Sequence, residues 1–147
     1  AYAINDDGTI VGFSTTALYR AGTVRAIQWS AAGVKTEVAG CSGVCYAAAN
    51  AINRTGQVVG SQTDRVFRWT PAGGLVDLGG LPGAQFSEAT GINDLAQVVG
   101  YSRVGLAYRA FVWTQTAGFV DIGLLPGKTW SLATAINNGG QIVGYGQ

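Results

Sequence analysis

The side chains in this sequence that could do chemistry are few, and most of them are periodic. Three bases are each followed twelve residues later by an acid: Arg25 by Glu37, Arg65 by Asp77 and Arg109 by Asp121. On two strands joined by a hairpin, that spacing makes a cross-strand or diagonal ion pair. Because the pair recurs along the chain, it points to structure, holding units together, rather than to a single reaction. Acids outside the series, Asp64, Glu88 and Asp94, are the candidates for glycosidase-type chemistry, which needs two carboxyl groups about 5 to 9 Å apart. Glu88 stands out among them, because the equivalent places along the chain hold Ala48 and Leu132. There is no histidine for acid-base work, no nucleophile elbow, no phosphate-cradling glycine loop and no metal-ligand cluster. A non-catalytic protein without cofactor or metal is expected. Asp6 and Asp7 suggest calcium, but a hairpin turn explains Asn-Asp-Asp-Gly without an ion.

The remaining reactive or ligand-contacting groups are sulfur and aromatic rings. Cys41 and Cys45 lie in CSGVC, a Gly/Ser-rich connection, and form either a small loop disulfide, which is the expectation, or two reduced thiols. One cysteine pair without histidine cannot complete a four-ligand zinc site. Trp29, Trp69 and Trp113 recur at one place in an apolar segment and are expected to fill the core, the alternative being platforms for sugar rings. Trp130 sits in a long connection where the preceding unit has Phe86, and is either a ligand contact or a lid on the core. Trp130, Phe86 and Glu88 are therefore the candidate ligand-binding residues.

These side chains are set in four copies of one phrase: AINDDGTIVGF from Ala3, AINRTGQVVGS from Ala51, GINDLAQVVGY from Gly91 and AINNGGQIVGY from Ala135. Periods of this size, roughly 40 to 50 residues, mark stacked supersecondary units such as propeller blades. After each of the first three phrases come two further segments: RAIQW, RVFRW and RAFVW, then KTEV, LVDLG and FVDIG. Each full unit thus offers four short segments rich in β-branched and aromatic residues, separated by Gly, Asn, Asp and Pro, which reads as four strands with turns. The sequence predicts an all-β fold: a β-propeller-like array of four-stranded blades at about 1–38, 46–79 and 87–123, then a half-blade at 131–147. A β-solenoid or stacked sandwich is the alternative.

Local chemistry supports that phasing. Asn5 to Gly8, Asn53 to Gly56 and Asn137 to Gly140 suit a type I turn closed by a left-handed glycine. The third copy has Ala96 at the last place, where a left-handed conformation costs about 1 kcal/mol, so a different turn is expected there. The long connections at 39–46, 80–87 and 124–131 fit crossovers between sheets. Apolar residues fall on both faces of the second strands, as at Val98 and Val99, which suits sheets buried on both sides.

The segments Ala110-Phe111-Val112-Trp113, Val120-Asp121-Ile122-Gly123, Ala135-Ile136-Asn137 and Gln141-Ile142-Val143-Gly144-Tyr145 resemble the bacterial HAF repeat of probable extracellular proteins. The histidine of that name is replaced throughout, by Arg25, Arg65 and Arg109. The resemblance implies export and a repeat architecture, and carries no catalytic activity with it.

Composition bounds the partners. Nine Lys/Arg against eight Asp/Glu leave a net charge of +1 without any block of like charge, so neither nucleic acid nor an anionic membrane is an expected partner. Apolar residues make up 48% and charged ones 12%, but no apolar run approaches the roughly 20 residues of a membrane span, so membrane insertion is not expected. The chain of 147 residues contains no methionine and opens within a repeat phrase, which predicts a mature product or one stretch of a longer array. The expectation is an exported, extracellular or cell-surface structural or interaction module of HAF-like repeats. Its expected partners are other copies of itself, the rest of the same protein, or an extracellular glycan or protein. The alternative is a glycan-binding, lectin-like propeller that uses loop aromatics.

Overall fold

A computed structural model describes residues 1–15, 23–41 and 45–147. Among these residues there is no helix, and fourteen strands run as consecutive antiparallel meanders. The first unit holds β1 (Ala3–Ile4), β2 (Ile10–Thr15), β3 (Thr23–Trp29) and β4 (Lys35–Ala39). The second holds β5 (Cys45–Ile52), β6 (Val58–Gln62), β7 (Arg65–Thr70) and β8 (Gly74–Gly79). The third holds β9 (Ala84–Ile92), β10 (Val98–Val104), β11 (Ala107–Thr114) and β12 (Gly118–Asp121), and β13 (Ser131–Ile136) pairs with β14 (Ile142–Gly146).

The repeat phrase makes the first hairpin of every unit. Asn5, Asn53, Asn93 and Asn137 each accept a backbone bond from the residue three places on, and each side-chain Oδ1 accepts the amide four places on at 2.9 Å. The expectation of a different turn at Ala96 is corrected. Ala96 takes φ 58° and makes the same bonds as the glycines, because the Asn93 side chain and the strand pairing on either side fix the loop. The invariant Gly of the phrase has a separate reason. The strands β5, β9 and β13 each carry an irregularity in register opposite it, and a Cβ at Gly60, Gly100 or Gly144 would run into the carbonyl oxygen of Ala48, Glu88 or Leu132.

Sheets stack face to face, and the core lies in the seams. Val11, Ala26, Val38, Ala47, Val58 and Phe67 fill the seam between the first two units. Val59, Val66, Ala89, Val98, Phe111 and Trp113 fill the next, and Val99, Ala110 and Ala133 the third. Adjacent residues thus serve opposite seams: Val58 and Val59 are both fully buried, as are Val98 and Val99. Both faces of a middle sheet are covered, which is why its strands lack clean alternation. Phe67 and Phe111, each buried whole, stabilise their seams by about 2 to 3 kcal/mol apiece. Of the recurring tryptophans, Trp113 is buried, Trp69 packs half-buried against the first seam, and Trp29 is half-buried.

One connection departs from a simple crossover. Thr23 and Val24, the first residues of β3, lie beyond the reach of β4 and pair in parallel with Cys45 and Tyr46 of β5. This joins the first two units into one eight-stranded sheet rather than two separate ones. Cys41 and Cys45 are joined by a disulfide, which ties the end of the first unit to the start of the second. The middle of the CSGVC loop, 42–44, lies outside the described residues.

Candidate functional site

Two groups of side chains converge on the first strands of the units, β1, β5, β9 and β13, one at each end. At the hairpin end, the four phrase asparagines form a ladder. Asn5 Nδ2 donates to the carbonyl of Asn53 at 3.3 Å, Asn53 Nδ2 to that of Asn93 at 3.1 Å, and Asn93 Nδ2 to that of Asn137 at 3.0 Å. One amide side chain therefore shapes its own turn through Oδ1 and grips the next unit through Nδ2, which no other residue of that size can do. A second rung runs alongside, from the Arg54 amide to Asp94 Oδ1 and from the Asp94 amide to Asn138 Oδ1, both at 2.9 Å. The Arg54 amide, followed by the Asn138 side chain, holds the Asp94 carboxyl below its ordinary value. The four hairpins surround an open cavity of about 350 Å³ lined by Asn5, Asn53, Asn93, Asn137 and their neighbours.

Further along these first strands, bulge residues repeat the pattern: Asn50 Nδ2 donates to the Ala89 carbonyl at 2.9 Å and Thr90 Oγ1 to that of Ala133 at 2.8 Å. Beyond them lies the second group. Glu88, on β9, accepts Asn50 Nδ2 from the neighbouring unit at 2.8 Å and the Tyr101 hydroxyl of β10 at 2.6 Å. Phe86 and Tyr108 pack against Tyr101 with ring centroids 6.0 and 5.6 Å away. Burial first, then the bond to Glu88, pushes the Tyr101 phenol well above its ordinary value. Tyr46, from the second unit, is raised by burial and then by Tyr2 and Glu88 beside it.

The chain matches no family model, no curated protein and no solved structure.

Of the ligand-binding candidates, Phe86 and Glu88 come together around Tyr101, whereas Trp130 pairs with Tyr145, ring centroids 5.8 Å apart. Glu88 is half-buried and bonded, not a free surface acid. Asp94 lies in the hairpin beyond the far end of its strand, six residues and on the order of 20 Å of extended chain from Glu88. Asp64 sits in the β6–β7 turn with an exposed side chain, its carbonyl accepting the Ser87 amide at 2.8 Å. Asp6 and Asp7 occupy the first hairpin turn.

The arginine–acid pairs are formed at 2.7, 2.7 and 2.8 Å for Arg25–Glu37, Arg65–Asp77 and Arg109–Asp121. They bridge the third and fourth strands of one unit, so they brace a hairpin and do not hold units together. Partly exposed as they are, each contributes no more than about 1 kcal/mol. Sequence reasoning missed the residues that do link units: the asparagine ladder, Asn50, Thr90, and Arg68, whose guanidinium lies 5.3 Å over the Trp113 ring of the next unit. The signal for the ladder was present as an asparagine in all four phrases, which turn formation already explained.

Proposed function

We propose that this chain is a non-catalytic interaction module, an arc of a β-propeller built from HAF-like repeats, which associates with further repeats of its own kind. The single observation that carries the reading is the direction of the asparagine ladder. Every rung donates from one unit to the carbonyl of the next, so the ladder has a donor end and an acceptor end. At the donor end Asn137 Nδ2 reaches only Gln141 Oε1 of its own hairpin, and at the acceptor end the Asn5 carbonyl receives only the Gly8 amide, among the described residues. Beside these ends the apolar side chains of Ile4 and Val143 are exposed. Two such ends are complementary to each other rather than to themselves, the condition for head-to-tail association, which closes a ring when the rotation per unit allows.

Propeller geometry is favoured over a flat stack because successive units meet mainly where the first strand of one packs on the first and second strands of the one before, with the ladder along that edge. A disulfide in the first connection fits an oxidising, extracellular setting, and no helix long and apolar enough to cross a membrane occurs among the described residues. Light scattering of the chain across concentrations tests the proposal. Association is expected by roughly 0.1 mM, a weak but specific affinity. It should weaken when Asn137→Ala removes the donor end. A chain that stays monomeric at that concentration would refute the reading.

A further inference from the structure

The acids borne on strands fall into two kinds. Glu37, Asp77 and Asp121 each meet an arginine of their own hairpin, whereas Glu88 meets no base among the described residues. Its two partners, an amide and a phenol, are neutral: they fix the carboxylate in place without cancelling its charge. Each carboxylate oxygen keeps further acceptor capacity, since a carboxylate offers about four lone-pair sites. The donors beside it are spent: Asn50 Nδ2 is bonded to both Glu88 Oε1 and the Ala89 carbonyl, and the Tyr101 hydroxyl to Glu88 Oε2.

Around this charge stand aromatic rings from two units. Phe86, Tyr101 and Tyr108 form a chain of ring contacts, the last pair edge-on at 79°. Tyr46, on β5 of the second unit, lies close enough to Glu88 and Tyr2 for both to raise its phenol. Tyr46 and Tyr2 are about half exposed, at 52% and 55%, so the rings open to solvent. The surroundings of Glu88 thus offer π faces and acceptors, and the two donors that touch the carboxylate are already used. A sugar hydroxyl seeks donors as well as acceptors. An ammonium group seeks only acceptors and the negative faces of aromatic rings.

We infer that Glu88, Tyr46, Phe86, Tyr101 and Tyr108 form a binding site for an organic ammonium ion, held by the carboxylate and the surrounding tyrosine and phenylalanine rings. The site uses side chains of the second and third units and does not depend on assembly.

Choline and its neutral isostere 3,3-dimethylbutan-1-ol differ at the centre only in nitrogen against carbon. Proton NMR of the chain during titration with each is expected to show saturable shifts of the Tyr46, Tyr101 and Tyr108 ring resonances with choline and none with the alcohol at equal concentration. Glu88→Gln should weaken choline binding about tenfold or more, the scale of a partly desolvated cation interaction. Tyr46→Ala, which removes an exposed ring and leaves the Glu88 hydrogen bonds in place, should weaken it several-fold in a chain whose thermal unfolding is little changed. No shift with choline overturns the site. Equal binding of the alcohol reduces it to an apolar patch and overturns the role of charge, as does unchanged affinity in a folded Glu88→Gln chain. Shifts of the same rings with methyl glycosides but not with choline would replace it with a sugar site.

Discussion

If the asparagine ladder couples the units, truncating its members one at a time should give a gradient of losses rather than four equal ones. Asn93 is 3% exposed and makes the most bonds: Nδ2 to the Asn137 carbonyl and to Gln97 Oε1, Oδ1 from the Gln97 and Leu95 amides. Asn93→Ala removes one inter-unit bond worth about 1 kcal/mol and leaves groups of the half-buried Gln97 without their partners at a further 1 to 2 kcal/mol, about 2 to 3 kcal/mol in all. Asn53, equally buried and gripping the Asn93 carbonyl, should cost nearly as much. Asn5, with a longer rung of 3.3 Å in a partly open place, should cost about half of that. Asn137 is exposed and reaches no other unit, so its loss should stay below about 1 kcal/mol where the chain is monomeric. Urea unfolding followed by tryptophan fluorescence and circular dichroism reads this directly, since 3 kcal/mol moves the midpoint by about 1 to 3 M at the slopes usual for small proteins. Equal losses at the four sites, or an Asn137→Ala as damaging as Asn93→Ala, would show that these side chains only shape their own turns.

Other consequences can be checked on the same chain. Ala96→Gly relieves a left-handed alanine and should stabilise by up to about 1 kcal/mol, less what glycine gains in unfolded freedom; a lower urea midpoint would contradict the strain. Gly100→Ala drives a Cβ into the Glu88 carbonyl, so a loss on the order of 3 kcal/mol or failure to fold is expected, and a near-neutral thermal melt would mean that the bulge yields easily. For Arg109 and Asp121, a double-mutant cycle should give a coupling of no more than about 1 kcal/mol that shrinks in 1 M salt. The Asp94 carboxyl is held below its unfolded value of 3.8, so its contribution is present above that pH and is lost as pH falls through the lower folded value. Asp94→Asn should flatten that part of the acid unfolding curve. The Tyr101 phenol is shifted the other way, so its contribution is full below pH 10 and is lost only as pH rises toward the folded value, a step that Tyr101→Phe should remove.

What the sequence by itself determined is whatever depends on neighbours along the chain. The Asn-x-x-Gly turns, the strand order within each unit and the twelve-residue ion pairs follow from a two-residue strand period and from turn chemistry, both written in spacing. The paired valines announced sheets covered on both faces, because Val98 and Val99 must point opposite ways. Tertiary structure alone decided the rest. Ala96 keeps the glycine turn because strands already paired on either side hold it there, which outweighs a local cost near 1 kcal/mol. The pairing of Thr23 and Val24 with Cys45 and Tyr46 depends on how far β3 outruns β4. Glu88 looked like a lone acid in the sequence, and its partners Asn50 and Tyr101 lie thirty-eight residues before it and thirteen after. The asparagine ladder joins residues forty to forty-eight apart. Bonds of this kind form only once sheets have stacked at a particular angle and offset, and that angle is set by side-chain packing in the seams, a property of facing surfaces that no spacing along one strand records.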